Sequence, residues 1–227
     1  MPQTHIPSST FTFLNQIKKN NNREWFNAHK AAFKKEADYV KDFFQCLLDE
    51  MNQHDQIEKL KVFRIYRDVR FSKDKSPYKT NFSGGFSRAT AALRGGYYVH
   101  LEPGNSFVGG GFYGPEKHDL LRIRQEIAAD DQPIRKLLKS KKVKAYFGGA
   151  FNAGDTLKTA PKGFDKDHPA IDLLRMKSFT FTRSFTNKEV HSKDFLVEVN
   201  TTLKALRPYF DYMSEVLTTD LNGRSLL

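Results

Sequence analysis

Apolar side chains in the first 60 residues recur at helical spacing. They predict a short helix that ends at residues 20–22 and a long core helix over 22–52, with Asn22 as its N-cap. The inward face of the long helix holds Trp25, Phe26, His29, Phe33, Val40, Phe43, Phe44, Leu47, Leu48 and Met51. Because His29 lies one turn from two aromatic residues, we predict a hydrogen-bonded core histidine and not a catalytic one.

At Lys61 the period of the apolar pattern changes from 3.6 to 2, which predicts a strand over 62–71. One row of this strand is apolar and contains Phe63, Ile65, Val69 and Phe71. The opposite row is polar and contains Arg64, Tyr66, Asp68 and Arg70. Arg67 falls within the apolar row. Since an unpaired buried guanidinium is very unfavourable, we predict that Arg67 is mostly buried and hydrogen-bonded to Asp74 or Asp68.

Further strand signals occupy 78–87, 96–102, 106–113 and 179–185. The sequence Glu102-Pro103-Gly104-Asn105 is typical of a type II turn, so the strands on either side of it should form a hairpin. The return strand contains Gly109-Gly110-Gly111. Such a run weakens a strand unless another backbone, an aromatic ring or a ligand approaches closely.

Most of the remaining chain is predicted to be helical. Pro115 should open one helix, residues 133–147 should form a basic helix, and a last long helix after Ser192 should be interrupted by Pro208. Strands that are grouped between helices, without strand–helix alternation, indicate an α+β fold. We predict an antiparallel-rich sheet flanked by long N- and C-terminal helices.

Composition indicates the number of domains and the cellular compartment of the protein. With 227 residues and 39% hydrophobic content, the chain can form one packed domain over 1–227. Its parts are a helical segment (1–60), a sheet core with a basic motif (61–114), and helices plus one further strand (115–227). The single cysteine, Cys46, excludes an intramolecular disulfide, and the chain shows neither a secretory signal nor a long apolar run. We therefore expect a cytoplasmic protein without a membrane partner.

Positive charge is concentrated in two segments of the chain. The formal net charge is +11 at pH 7. Residues 61–94 hold nine basic and two acidic side chains, and residues 135–144 hold six basic side chains and no acid. A local positive field of this kind favours an anionic partner, although many charge runs are only solvated.

Two motifs give the chain a family resemblance: Asn21-Asn22-Arg23-Glu24-Trp25-Phe26, and Arg67-Asp68-Val69-Arg70-Phe71-Ser72-Lys73-Asp74-Lys75-Ser76-Pro77-Tyr78-Lys79-Thr80. Shorter motifs follow in order, namely Gly96-Tyr97-Tyr98, Gly109-Gly110-Gly111, Pro161-Lys162-Gly163-Phe164 and Asp167-His168-Pro169. The chain thereby resembles the family called domain of unknown function 2461 over nearly its whole length. The resemblance implies no activity, cofactor or catalytic residue.

The basic motif and the strand before it supply the candidate ligand-binding residues. These are Arg64, Arg67, Asp68, Arg70, Lys73, Asp74, Lys75, Tyr78 and Lys79. Guanidiniums at fixed positions can bind an oxyanion through two hydrogen bonds each, while loop lysines add positive field. The alternative is a rigid structural corner, because its serines and aspartates favour turns and its proline restricts the backbone. We favour the binding site.

Tyr98, His100 and Glu102 form a polar row beside this segment. They alternate along the strand over 96–102, so they lie on one of its faces. Histidine and glutamate are common proton-transfer groups, which makes these three the candidate catalytic residues. The alternative is a solvated sheet face, because antiparallel sheets commonly leave one face in water.

Three classes of function stay open at this point. The first is a site for a phosphate- or carboxylate-bearing small molecule, with or without catalysis. The second is a nucleic-acid-binding module, because basic and aromatic residues are interleaved in the basic motif. The third is a protein-interaction domain without catalysis. The sequence indicates no metal site, and it identifies no cofactor, substrate or oligomeric state.

Overall fold

The computed structural model describes residues 3–154 and 156–227. Its strands are β1 (Ile57–Val62), β2 (Phe82–Arg88), β3 (Gly96–Leu101), β4 (Ser106–Phe112) and β5 (Phe179–Phe185). The helices in this part of the chain are α1 (Ser8–Lys19), α2 (Arg23–Ala28), α3 (Lys30–Met51), α4 (Lys117–Ala129), α5 (Gln132–Leu138), α6 (Lys141–Phe147), α7 (Ile171–Leu174), α8 (Asn187–Val190), α9 (Phe195–Lys204) and α10 (Arg207–Thr218). None of these helices is long and apolar enough to cross a membrane.

The five strands form one antiparallel sheet in the order β1-β2-β3-β4-β5. This arrangement confirms the predicted α+β fold. The predicted hairpin is also present, because the N–H of Asn105 donates to the carbonyl of Glu102 at 3.0 Å between β3 and β4. Gly104 in this turn has a φ of 77°, a conformation that a type II turn requires and that glycine adopts without strain.

The predicted strand over 62–71 is wrong in its bounds. β1 ends at Val62, and the following segment is irregular apart from one antiparallel bridge between Tyr66 and Tyr78. The returning segment pairs with it only intermittently, and the predicted strand over 78–87 begins at Phe82. Alternation of apolar residues was present, but a regular strand also needs a continuous hydrogen-bonded partner.

Two segments that were each predicted as one helix contain two, and the interruption predicted in the C-terminal helix is present. The segment 22–52 is divided at His29 into α2 and α3, and the segment 133–147 is divided before Ser140 into α5 and α6. The C-terminal helix is divided between α9 and α10, and Pro208 lies in the first turn of α10. Proline fits the first turn because the N–H that it lacks has no acceptor there.

Two predicted helix starts have different outcomes. Asn22 caps α2 as predicted, since its side chain accepts a hydrogen bond from the N–H of Trp25 at 2.9 Å. Pro115 does not open a helix, because α4 begins at Lys117 after Glu116 as its N-cap. The helical pattern of α4 fixed its inward face but not its first residue.

The chain forms two compact units. Unit 1 contains Met1–Ser87, Tyr98–Val108 and Ser184–Thr201. Unit 2 contains Arg88–Tyr97, Gly109–Arg183 and Thr202–Leu227. Strands β2 to β5 each contribute residues to both units, and one domain over 1–227 stays a prediction.

The core of unit 1 is built on α3, which packs against β1 and β2. Phe44 of α3 meets Phe86 of β2 edge-on, with 5.9 Å between ring centroids. The Phe44 ring also occupies the space that a side chain at Gly84 would fill, since a Cβ there would lie 2.8 Å from it. Glycine at this position therefore lets helix and strand approach closely.

The core of unit 2 is built on α10. Phe210 packs edge-on against Tyr97 with 4.7 Å between centroids, and the hydroxyl of Tyr209 donates to the carbonyl of Phe179 at 2.8 Å. Tyr209 is 1% exposed, and burial raises the pKa of its hydroxyl. The helix is thereby joined to the sheet by apolar packing and by one buried hydrogen bond.

Candidate functional site

The basic loop, residues 67–77, is held together by its own charged groups. The N–H of Arg67 donates to the carbonyl of Pro77 at 2.9 Å, and the Arg67 guanidinium pairs with Asp74. Asp74 is therefore one of the two partners predicted for Arg67, whose side chain is 27% exposed. Hydrogen bonds from Ser76, followed by the one from Arg67, hold the pKa of Asp74 well below its usual range. The ionised carboxylate of Asp74 thus bonds Arg67 at the start of the loop and Ser76 near its end.

Arg70 is also engaged within the basic loop. Its guanidinium donates to both carboxylate oxygens of Asp68, at 3.0 and 2.7 Å. Hydrogen bonds from the side chain and backbone of Arg70 lower the pKa of Asp68, so this carboxylate is ionised. The ammonium of Lys75 donates to the carbonyl of Val69 at 3.0 Å. Neither Arg70 nor Lys75 is therefore free to hold a ligand without giving up a partner.

Tyr78 anchors the end of the basic motif in the core of unit 1. It is 4% exposed, and its ring stacks on Phe26 with 4.0 Å between centroids. The side chain of Asn21 bonds both its backbone N–H, at 3.0 Å, and its carbonyl, at 2.9 Å. Burial raises the pKa of Tyr78. Lys73, in contrast, is exposed and has no ion-pair partner within 3–154 and 156–227.

Two cations lie near the ring of Phe63, and a third, Arg64, is close enough to Lys79 to act on its charge. We call Lys61, Phe63, Arg64 and Lys79 the Phe63 cluster. The ammonium groups of Lys61 and Lys79 lie 5.3 and 5.6 Å from the centroid of this ring. Burial, followed by the charge of Arg64, lowers the pKa of Lys79. Among the described residues none of the three cations pairs with a carboxylate. The cluster therefore holds like charges close together without a direct ion pair, and Asp68 lies near enough to Arg64 for that charge to lower the pKa of its carboxyl.

A hydrogen-bonded row on β3 adjoins the Phe63 cluster. The ring of Tyr98 lies 6.2 Å from that of Phe63, and its hydroxyl lies 3.2 Å from Nδ1 of His100. Nε2 of His100 lies 3.3 Å from a carboxylate oxygen of Glu102. This geometry fits a neutral imidazole that accepts from Tyr98 and donates to Glu102. Both ring nitrogens are then occupied, and Tyr98 is the end of the row that faces the cations.

Glu102 is fixed at the other end of this row. Its carboxylate accepts hydrogen bonds from the hydroxyl of Thr80 at 2.7 Å and from the side-chain amide of Asn105 at 2.9 Å. Burial by itself raises the pKa of Glu102, but the hydrogen bonds from Asn105, Thr80 and His100 outweigh burial and lower it. Glu102 is thus held ionised at neutral pH. A small cavity beside it, lined also by Asn15, Lys18 and Pro103, encloses about 10 Å³, which is room for one water at most.

The depressed pKa of Glu102 predicts how the stability of the fold depends on pH. A carboxylate whose folded pKa is lowered stabilises the folded state above its unfolded pKa, and this contribution disappears as pH falls through the folded value. We expect Glu102→Gln to lower the free energy of unfolding at pH 7, and the difference from wild type to shrink steadily between about pH 5 and pH 3. Urea unfolding at several pH values measures this.

The matched control for this titration is Glu58→Gln, which removes an exposed carboxylate from β1. Its effect should be small at every pH, because exposed charges contribute little. A difference for Glu102→Gln that stays constant from pH 7 to pH 3 would mean that packing, and not the ionised carboxylate, is what the substitution disturbs.

The structure brings together only part of the predicted set. It joins Arg64, Lys79 and the row Tyr98, His100 and Glu102, all of which belong to unit 1. It turns Arg67, Asp68, Arg70, Asp74 and Lys75 toward one another, and it buries Tyr78. His29 is hydrogen-bonded as predicted, with Nδ1 2.8 Å from the carbonyl of Trp25, but it is only partly buried.

Sequence reasoning missed four contributors: Lys61, Phe63, Thr80 and Asn105. Lys61 was counted only as charge, Phe63 was assigned to the core, and Thr80 was treated as the end of a loop. The signal for Asn105 was available, because it follows Glu102 in the predicted turn at the spacing that lets it bond back. Thr80 lies 22 residues from Glu102, so no local pattern relates the two.

Comparison with known proteins identifies a family for this chain. The family model described as "Conserved hypothetical protein (DUF2461)" matches residues 9–212. This match confirms the resemblance seen in the sequence motifs. No curated protein matches the chain, and no solved structure matches it either.

Proposed function

We propose that this chain, which belongs to the DUF2461 family of conserved hypothetical proteins, binds a small phosphate- or carboxylate-bearing ligand at the Phe63 cluster. The observation that carries the proposal is that Lys61 and Lys79 lie over one ring, with Arg64 close to Lys79, and that none of the three is in an ion pair within the described residues. Like charges that are held together raise the free energy of the unliganded protein, and an oxyanion would relieve this repulsion. In the basic loop Arg67 and Arg70 are already in ion pairs and Lys75 donates to a backbone carbonyl, so Lys73 is the one cation without a partner among the described residues of the loop.

Arg64 and Lys79 contribute differently to such a site. An arginine offers a planar fork of donors that matches an oxyanion, whereas a lysine acts as a compact charge. The lowered pKa of Lys79 shows that its charge is disfavoured where it lies, through burial first and then through Arg64. Lys79 therefore supports binding at some expense to the stability of the unliganded fold.

The row on β3 gives the ligand a neighbour that can exchange a proton. Tyr98 stands next to Phe63, and His100 and Glu102 stand behind it. A tyrosine whose hydroxyl donates to an imidazole can pass its proton to that ring as it bonds to a ligand. Within the proposal, Tyr98 is the proton-transfer group, and His100 and Glu102 are positioning residues.

The test is anion binding by the intact chain. Thermal-shift measurements with inorganic phosphate, glucose 6-phosphate and citrate would select a probe, and titration calorimetry would give its Kd. We expect Arg64→Met and Lys79→Met each to weaken binding of that probe by about tenfold or more, the loss of roughly 1.4 kcal/mol. Without ligand, Lys79→Met should be as stable as wild type or more stable, because it removes a charge disfavoured by burial.

Lys73→Met is the matched control, since it removes the same charge from an exposed position of the basic loop. It should change the Kd by less than about threefold. Arg70→Lys should likewise have little effect, because Arg70 is already bonded to Asp68. Equal losses for Lys73→Met and Lys79→Met, with a steep dependence on salt, would indicate a diffuse field and defeat the proposal of a discrete site.

A further inference from the structure

The tip of the basic loop carries a fully exposed aromatic side chain. Phe71 is 96% exposed, the most exposed of the large apolar residues in the described chain. Apolar side chains of this size favour burial by about 1.5–3 kcal/mol, so complete exposure in a fixed loop is unfavourable unless a partner covers the ring. Phe71 has no part in the Phe63 cluster or in the row on β3.

Ion pairs and hydrogen bonds within the basic loop hold the backbone on either side of Phe71. The pair Arg67–Asp74 closes the loop, Arg70 bonds Asp68, and Lys75 bonds a backbone carbonyl across the loop. Below it, the bridge between Tyr66 and Tyr78 joins the two arms. Because these contacts fix the backbone on both sides of Phe71, a partner would meet a preorganised ring and would lose little binding energy to ordering.

The chemistry beside Phe71 is that of a base-stacking site. The guanidinium of Arg70 lies 5.9 Å from the centroid of the Phe71 ring, which leaves the rest of this exposed ring available for a planar partner. Lys73 follows two residues later and is unpaired within the part of the chain described. Aromatic rings flanked by cations bind single-stranded nucleic acid, because unpaired bases stack on the ring and the cations meet the phosphates.

We propose that the basic loop binds single-stranded nucleic acid, with an unpaired base stacked on Phe71 and a neighbouring phosphate near Lys73. The proposal concerns a separate surface from the Phe63 cluster and does not depend on anion binding there. An anionic bilayer is the less favoured partner. Recognition of such a surface usually takes an uninterrupted cluster of four to eight basic residues, whereas residues 67–77 carry four basic and two acidic side chains and therefore a net charge of only +2.

The test is fluorescence anisotropy with a labelled 12-nucleotide oligo(dT), an oligo(U) of the same length, and a duplex control, at 50 and 200 mM salt. Stacking predicts that Phe71→Ala and Phe71→Leu both weaken binding of the single strands by about tenfold, while Phe71→Tyr retains it. Lys73→Met should weaken binding less and reduce its salt dependence. Because Phe71 is exposed, none of these substitutions should change the unfolding transition.

Tyr113→Phe and Tyr113→Ala are the matched controls, because Tyr113 is another aromatic residue, 90% exposed, in unit 2. Both variants should bind like wild type. No binding of single strands by wild type, or binding that Phe71→Leu retains, would overturn the proposal. Sedimentation with phosphatidylserine vesicles tests whether Phe71 binds a membrane instead. If Phe71→Leu keeps vesicle binding and Phe71→Ala loses it, the ring inserts into a bilayer, and the proposal of nucleic-acid binding is overturned.

Discussion

Replacing Gly109 by alanine should strongly destabilise the fold. A Cβ at this position would lie 1.9 Å from the carbonyl oxygen of Phe181 and 3.0 Å from its carbon. Both atoms belong to the backbone of β5, which cannot turn aside as a flexible side chain does. We expect Gly109→Ala to lower the free energy of unfolding by more than about 3 kcal/mol, or to prevent folding altogether. Urea unfolding monitored by circular dichroism measures the loss.

Gly154→Ala is the matched control for this substitution. Its new Cβ would meet nothing closer than the carbonyl oxygen of Asn152, at 3.8 Å, which is ordinary contact. Its free energy of unfolding should stay within about 0.5 kcal/mol of wild type. If Gly109→Ala gives soluble protein as stable as Gly154→Ala, then β4 and β5 do not approach as closely as the structure has them.

Replacing Arg88 by methionine should give the second large loss of stability. The Arg88 side chain is fully buried, and its guanidinium donates to the carbonyl of Arg94 at 3.1 Å and to the hydroxyl of Ser214 at 3.2 Å. It also lies over the ring of Phe210, 5.3 Å from the centroid. Methionine fills most of the volume, but it removes this donor from the carbonyl of Arg94 and leaves the hydroxyl of Ser214 with only the N–H of Arg94, so we expect a loss of about 3 kcal/mol.

Asp211 provides the control for the ion pair of Arg88. Its carboxylate accepts from Arg88 at 3.3 Å but is 53% exposed, and it is also bonded by Arg207 at 3.1 Å. Asp211→Asn should therefore cost less than about 1 kcal/mol, because water screens a half-exposed charge. A loss for Asp211→Asn that equals the loss for Arg88→Met would show that the ion pair, and not the buried hydrogen bonds, secures Arg88.

The glycine run in β4 shows how much the local sequence could predict about the neighbours of this strand. Its composition predicted that a backbone, a ring or a ligand approaches the strand, and the structure provides the first two. The carbonyl of Phe181 lies against Gly109, and the ring of Phe210 lies 3.0 Å from where a Cβ of Gly110 would be. The sequence required a close neighbour but could not identify it, because β5 and α10 are distant along the chain.

Arg67 is a second case in which the sequence predicted a contact but did not identify the partner. An arginine within an apolar row had to find a carboxylate, and two candidates stood within seven residues. In the structure Arg67 pairs with Asp74, because Asp68 is already in an ion pair with Arg70, two residues away. The side chain of Arg67 is mostly buried, at 27% exposed, but the assumption behind the prediction was wrong because the segment is not a regular strand.

The sequence by itself determined the features that depend on neighbours along the chain. The change of period at the basic segment, the hairpin turn at Gly104 and the cap at Asn22 each arise from backbone preferences and contacts within a few residues. The sequence alone also determined family membership, because membership rests on motifs that occur in a fixed order along the chain.

The tertiary structure alone decided which charges are paired and which are left without a partner. Nine candidate ligand-binding residues looked alike in the sequence, but folding paired most of the charged ones within the basic loop, buried Tyr78, and left Arg64 and Lys79 beside Phe63. The bond from Thr80 that fixes Glu102 likewise joins residues 22 positions apart. Electrostatic interactions depend on distance in space, and the packing of the core, which sets that distance, cannot be read from local spacing.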